Sequence, residues 1–306
     1  MNIREWALIA FTILTQMSVG SLLVLWLAHY YVNRKVGMKE ADRLSDYALL
    51  SLVVMFGLAM VASLFHLGNP LNAPRAVTHL ATSWLSREIL GSVIFGFLVL
   101  VLGVMQWRKI GSFSLRNVIA WIAIIAGLAL VFIESRVYML PTEPSWNTLA
   151  TPVTFYTTAL LLGSLAMGVA FVANYAYLQK KDPQSSKVQA ELVRDSLRGI
   201  AVASVVLLGI EFVAIPIYVA YLSVGNAASL TSATLMIGPF GVVFALRLIL
   251  AFIGAGIFGL FLYQSARSVG EEKTLGYLAY SAFVLVLVAE ILGRFLFYAT
   301  QVRVGI

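Results

Sequence analysis

The residues able to do chemistry in this chain are few, and they stand where ionisable groups are costly. His66, Arg87, Glu88, Glu134, Arg136, Glu211, Arg247, Glu290 and Arg294 all fall within or at the ends of long apolar stretches. A charge at bilayer depth costs about 2.5–3.5 kcal/mol on insertion scales, so one that is kept faces a partner, a cavity or a reaction. Histidine and glutamate are the types that move protons, and arginine is the type that holds a carboxylate or a ligand oxygen. His66 taken alone is open to two readings, a proton acceptor or a helix-end residue bonded to a backbone group.

The elements that position these groups are transmembrane helices. The chain is 60% hydrophobic and 11% charged, against about 25% charged residues in a soluble domain. A spanning helix needs about 20 mostly apolar residues. Continuous apolar runs predict an all-α polytopic bundle of eight helices, at about 6–31, 47–68, 84–107, 116–139, 152–178, 199–221, 239–263 and 275–299, in one domain over residues 1–306. The first run is longer than a signal peptide's apolar core and no small-residue cleavage site follows it, so it is expected to be retained. Cysteine is absent, which excludes disulfides, thiolate-bound zinc and an iron–sulfur cluster held here by its usual ligands. No internal repeat is visible.

Orientation follows from the basic residues. The connections after the first, third, fifth and seventh helices hold fourteen of them: Arg34, Lys35, Lys39, Arg43, Arg108, Lys109, Arg116, Lys180, Lys181, Lys187, Arg194, Arg198, Arg267 and Lys273. The other side has Arg4, Arg75 and Arg303. The positive-inside rule makes the first face cytoplasmic and puts both termini outside, in the periplasm of a Gram-negative cell. The net charge of +7 then needs no nucleic acid. On this topology His66, Arg87, Glu88, Glu134 and Arg136 share one outer layer, Glu290 and Arg294 lie in the outer half, Glu211 is near the middle, and only His29 lies toward the cytoplasm. Residues 179–198 read as a surface connection that becomes helix-like, and Asn69-Pro70 stops the second helix. The segment 140–151, with its prolines and Trp146, reads as a structured interfacial turn or as a lipid-anchoring belt.

HLGNPLNAPRA from His66, SWLSRE ending at Glu88, SRVYMLPTEPSWNT with the TPVTFYTTALLLG that follows, and ExxGRFLFY from Glu290 to Tyr298 together resemble the membrane-anchor subunit of anaerobic dimethyl sulfoxide reductase. The likeness covers all eight helices, in order and spacing. It implies a quinol-oxidising subunit of the bacterial inner membrane, in anaerobic respiration, that holds an iron–sulfur electron-transfer subunit and a molybdenum catalytic subunit. In that family the histidine and glutamate matching His66 and Glu88 are associated with menaquinol. Quinol oxidation releases two electrons and two protons, and His66 is expected to accept a hydrogen bond from one hydroxyl while Glu88 takes the proton onward or holds the imidazole tautomer. Arg87, Arg136 and Tyr138 complete the expected quinol site; the arginines keep a carboxylate ionised or bond a quinone oxygen. Clusters and the molybdenum cofactor are expected in the partner subunits.

The remaining charges carry plainer expectations. Glu290 and Arg294 are spaced i,i+4 and read as an internal ion pair; Glu211 and Arg247 read as a pair between helices six and seven. Glu134 and Arg136, two apart, point to different faces. Three histidines at different levels do not make the matched axial pairs that a haem needs, so electrons are expected to pass from quinol directly to a bound cluster, with the partner docked on the outer loops near His66, Asn72 and Trp146. A purely structural anchor fits the same topology. A secondary transporter fits less well, because its site is expected near the midplane between repeats and on broken helices.

Overall fold

The computed structural model describes residues 3–66, 78–182, 186–268 and 270–305, and of Ile3, Arg4, His66 and Ser186 the backbone alone. The described residues form helices and no strands: α1 (Ile3–Val36), α2 (Met38–His66), α3 (Trp84–Arg108), α4 (Phe113–Tyr138), α5 (Ala150–Lys181), α6 (Ser186–Ser223), α7 (Ala227–Ile237), α8 (Gly241–Ala251), a π-helical turn Phe252–Ile257, α9 (Phe258–Ser265) and α10 (Glu272–Ala299). Eight spans are long and apolar enough to cross a bilayer, the seventh being α8, the π turn and α9 in series. The chain is therefore a multi-pass membrane protein.

α1 and α5 form the centre. In the most apolar stretch of each, 72% of residues are buried, against 22–44% in the other six spans. Small residues bring their backbones together, because lipid tails offer no apolar drive between helices and close packing must supply the attraction. A Cβ at Gly20 would lie 1.8 Å from the Ala159 carbonyl oxygen, and one at Gly163 would lie 2.3 Å from the Gly20 carbonyl carbon. α2, α3 and α4 pack on one side of this pair, and α6, α8, α9 and α10 on the other.

Several helices run past the apolar boundaries. Residues 32–46, expected as a basic loop, are helical except at Gly37, whose φ of +94° turns α1 into α2. Most of the expected surface connection 179–198 is the last turn of α5 and the start of α6. Hydropathy locates the lipid edge, whereas helical hydrogen bonding continues into water wherever the residues permit it. The expected outer loop 222–238 contains α7, an apolar helix capped by the Asn226 side chain, which accepts from Ser229 N–H. Pro216 is carried inside α6, as neighbouring helices allow in membranes. The Asn69-Pro70 stop and most of the HLGNPLNAPRA segment lie outside the described residues.

Segment 140–149 is tied to the protein rather than to lipid. Trp146 is 8% exposed, stacks on Phe297 at 5.1 Å between centroids and donates from Nε1 to the Phe297 carbonyl at 2.8 Å. Thr151 and Tyr218 donate to the carbonyls of Trp146 and Ser145. The extended tail joins in, with Val304 N–H donating to Thr142 O and Arg303 paired with Glu143. Of the two readings of this segment the structured turn holds: the Trp146 ring is buried against Tyr138, Phe297 and Tyr298.

Candidate functional site

Two polar clusters lie inside the bundle, one at each end. At the basic end, Arg116 of α4 donates to Asp42 (3.2 Å) and Gln106 (2.7 Å), Gln106 donates to Asp42 and Asp46, and Lys109 pairs with both aspartates. His29 joins it, buried, with Nδ1 2.8 Å from the Ser45 hydroxyl and its ring stacked on Trp26. Two carboxylates here face two cations, a balanced group that fixes α2, α3 and α4 to one another at the basic end. His29 is interior, because α1 and α2 extend as a helical pair around it.

The opposite end holds the larger cluster. Glu88, one turn into α3, is 5% exposed and accepts no hydrogen bond among the described residues. It lies within electrostatic range of Glu134, Tyr138 and Tyr298. Glu134 is fully buried and accepts from Gln16 Nε2 at 3.0 Å. The Gln16 carbonyl in turn accepts from Arg294 Nη2 at 2.7 Å, so one amide of α1 links α4 to α10. Arg294 also lies over the Phe155 ring, 3.9 Å from its centroid, a cation–π contact that is stronger where water is excluded. Tyr298 donates to the Tyr138 hydroxyl at 2.8 Å. Tyr138 is packed among Trp146, Phe155, Phe297 and Tyr298, with centroids 5.3–5.7 Å away.

The expected site residues thus fall into two groups. Glu88 and Tyr138 share the buried layer. Arg87 and Arg136 instead flank the Trp84 ring, at 4.2 and 5.2 Å from its centroid. Arg87 donates to the carbonyls of Leu80 and Ala81, both at 2.8 Å, and Arg136 contacts Met139 Sδ; neither pairs with a carboxylate among the described residues. Glu134 and Arg136 do face different ways, as their spacing requires. His66 ends α2, and its side chain lies outside the described residues.

The expected ion pair Glu290–Arg294 is not formed. Arg294 is turned to Gln16, and Glu290 accepts from the Thr158 hydroxyl at 2.6 Å, because the i,i+4 spacing allows a contact that better-placed partners on α1 and α5 displace. Glu211 and Arg247 do pair, between α6 and α8. Gln16, Thr158 and Tyr298 were missed from sequence; the only sign of Gln16 was an amide in the middle of an apolar run. Among the described residues no group of three or more His, Asp or Glu is arranged to hold a metal ion.

The profile of the DMSO reductase anchor subunit family, DmsC, matches residues 1–300 of this protein. The protein belongs to that family. It is 28% identical over 310 aligned residues to an anaerobic dimethyl sulfoxide reductase chain from Escherichia coli, with 99% of this sequence and 96% of the relative aligned. Its likeness to the chain of the same name from Haemophilus influenzae is also 28%, over 99% and 97%. A sulfite dehydrogenase subunit from Allochromatium vinosum is 36% identical over 104 residues, about a third of each sequence. The resemblance read from the motifs is therefore borne out, and this DMSO reductase-type anchor carries its two buried clusters on eight spans that the whole-length match includes.

Proposed function

We propose that this anchor oxidises quinol, menaquinol by family, at the end of the bundle away from the basic connections, and that it passes the electrons to an iron–sulfur subunit serving a molybdenum catalytic subunit. The observation that carries the reading is Glu88: a carboxyl group inside the bundle, beside Glu134 and two tyrosines, with no hydrogen-bond donor or cation of its own among the described residues. An ionisable group kept at this depth without a structural partner has a functional explanation. α2 ends with His66 at the same end of the bundle, which supports its pairing with Glu88 in this reading.

The chemistry divides among the protein's own groups. Quinol gives up two protons and two electrons to become quinone. His66 accepts the hydrogen bond of one hydroxyl and Glu88 receives the proton, while Tyr138 and Tyr298 supply hydroxyls that donate or accept on the same layer. Arg87 and Arg136, held on Trp84 and half exposed, would attract a quinone oxygen from the surface beside that layer. By the positive-inside rule the fourteen-charge end is cytoplasmic and both termini lie in the periplasm of the inner membrane. The iron–sulfur partner docks over the opposite end. Trp146 is buried, so the docking surface in segment 140–149 is made by its exposed neighbours, among them Asn147 and Leu149.

The test separates quinol oxidation from assembly. His66→Leu and Glu88→Gln should abolish or strongly slow quinol-driven acceptor reduction and leave reduction driven by an artificial dye, which feeds the catalytic subunits directly, unchanged. Full quinol-driven activity in both variants would refute the reading, and loss of both activities would assign the residues to assembly.

A further inference from the structure

A cleft that the expected site does not include opens on the other side of Arg294. A cavity of about 60 Å³ lies between α5, α6, α8 and α10, with Ser145 and Met236 of α7 also in its lining. Arg294 and Glu290 form its back wall, Arg247 crosses it, and Tyr218 and Phe244 flank it. Arg247 can lie there because residue 293 is glycine: a Cβ would be 2.6 Å from Arg247 Nε.

Among the described residues, three buried polar atoms of this region have no hydrogen-bond partner: Glu290 Oε1, Arg247 Nε and Ser145 Oγ. Glu290 is 3% exposed and Ser145 2%. Groups so placed cost about 1–3 kcal/mol each when left unsatisfied, and all three belong to side chains that line this one space, so a polar ligand that reached them would offset that cost. Formal charge narrows it. Arg247 and Arg294 are balanced by Glu211 and Glu290, so the cleft suits a neutral molecule, and a phosphate would meet the Glu290 carboxylate.

Access narrows it further. α6 packs along the π turn and α9 but hardly touches α8, which leaves a gap beside Ala214 and Phe244. The surfaces on either side of that gap are lipid-facing: Val213 and Ile217 on α6 are 63% and 64% exposed, and Ile249 on α8 is 54% exposed. A ligand entering here comes through the hydrocarbon layer. A neutral, lipid-soluble ring with both a hydroxyl donor and an oxygen acceptor meets every condition, and its body would pack on Ile215, Phe244 and Phe297, as in small-molecule sites with few polar groups in an apolar wall.

We propose that the cleft between α6 and α8 binds a quinone-type ring, with Glu290 accepting from its hydroxyl and Arg247 donating to its oxygen, as a site separate from the Glu88 layer. The choice of ring rests on the quinol reading above. A photoreactive azidoquinone with an isoprenoid tail, applied to the complete complex in membranes and mapped by peptide mass spectrometry, tests the two independently. Adducts on α6 or α8 peptides, displaced by excess unlabelled quinone, are expected. Glu290→Gln keeps the size and the bond to Thr158 but turns an acceptor into a donor, and should weaken labelling of these peptides roughly tenfold. Ala214→Phe, which fills the mouth without touching a charge, should abolish it. Both variants should leave labelling of α3 unchanged. Adducts on α3 alone overturn this site and keep the Glu88 reading; adducts on α6 and α8 alone keep this site and overturn the other; adducts on neither overturn both. Cleft labelling that unlabelled quinone does not displace, or that both variants leave intact, is contact at a shared lipid depth and overturns the site.

Discussion

Arg294 joins the Glu88 layer to the cleft, and replacing it with methionine should reveal how much of the bundle's stability passes through one guanidinium. Methionine keeps the length and apolar body, so the loss is confined to the head group. That head donates at 2.7 Å to a fully buried amide, a charge-assisted bond of about 1.5–3 kcal/mol. It also lies 3.9 Å from the Phe155 centroid, worth about 2 kcal/mol where desolvated. The expected cost is therefore about 3–5 kcal/mol, measured as the shift in SDS-induced unfolding of the protein in mixed micelles by tryptophan fluorescence. A double-mutant cycle with Gln16→Met isolates the bond. Removing Gln16 first leaves Arg294 nothing to donate to on α1, so the second substitution should cost about 1.5–3 kcal/mol less than it does alone. Arg294→Lys should recover only part of the loss, since an ammonium is a point charge that cannot both reach the amide and lie flat on the ring. Strict additivity of the two substitutions would refute the linkage, as would a cost for Arg294→Met below about 1 kcal/mol.

Gly20→Val should prevent accumulation of the protein in membranes, because its Cβ alone would sit 1.8 Å from Ala159 O; normal levels by immunoblot would refute the α1–α5 contact. Arg116→Met should destabilise by about 3–5 kcal/mol, the cost of removing one partner of a buried pair, and Arg116→Met with Asp42→Asn should recover part of it in the same unfolding assay. No recovery would mean that the cluster at the basic end is not held by charge pairing. Reporter fusions after Lys181 and after Ile306 should report opposite compartments, and the same compartment for both would overturn the span count or the orientation.

The number and order of spans were legible because a 20-residue apolar run has one use in a sequence this poor in charge. Where helices end was not, since Arg34, Lys35 and Arg194 sit on helices that have left the apolar layer. The placement of the buried charges was half legible. Glu88 and Glu134 stood out as carboxylates in apolar runs, but spacing could not tell that Arg87 turns outward to Trp84 while Glu88, its neighbour, turns inward. The Glu290–Arg294 expectation failed for the same reason: an i,i+4 relation gives what a helix permits, and the partner chosen depends on which other helix lies beside it. α7 escaped notice because eleven apolar residues are too few to span. The cleft is a property of packing, made where α8 stands away from α6, and no local pattern announces that.

The two buried clusters differ in a way that bears on function. At the basic end Asp42 and Asp46 face Lys109 and Arg116, and the carboxylates take donors from three side chains; Arg116 Nε and His29 Nε2 are the atoms left over. At the other end the acceptors themselves are left over. Among the described residues Glu134 Oε1 is buried without a donor and Glu88 accepts no hydrogen bond, and in the neighbouring cleft Glu211 Oε2 and Glu290 Oε1 have no donor and Arg247 Nε has no acceptor. A cluster whose only task is to hold helices together would be expected to satisfy its carboxylates first, since these are the costliest atoms to bury bare. An excess of unsatisfied acceptors instead suits groups that receive protons or hydroxyls from a molecule that comes and goes. That asymmetry supports the proposal of quinol chemistry at the end away from the basic connections, and on that proposal Asp42→Asn changes the amount of protein whereas Glu88→Gln changes what the protein does.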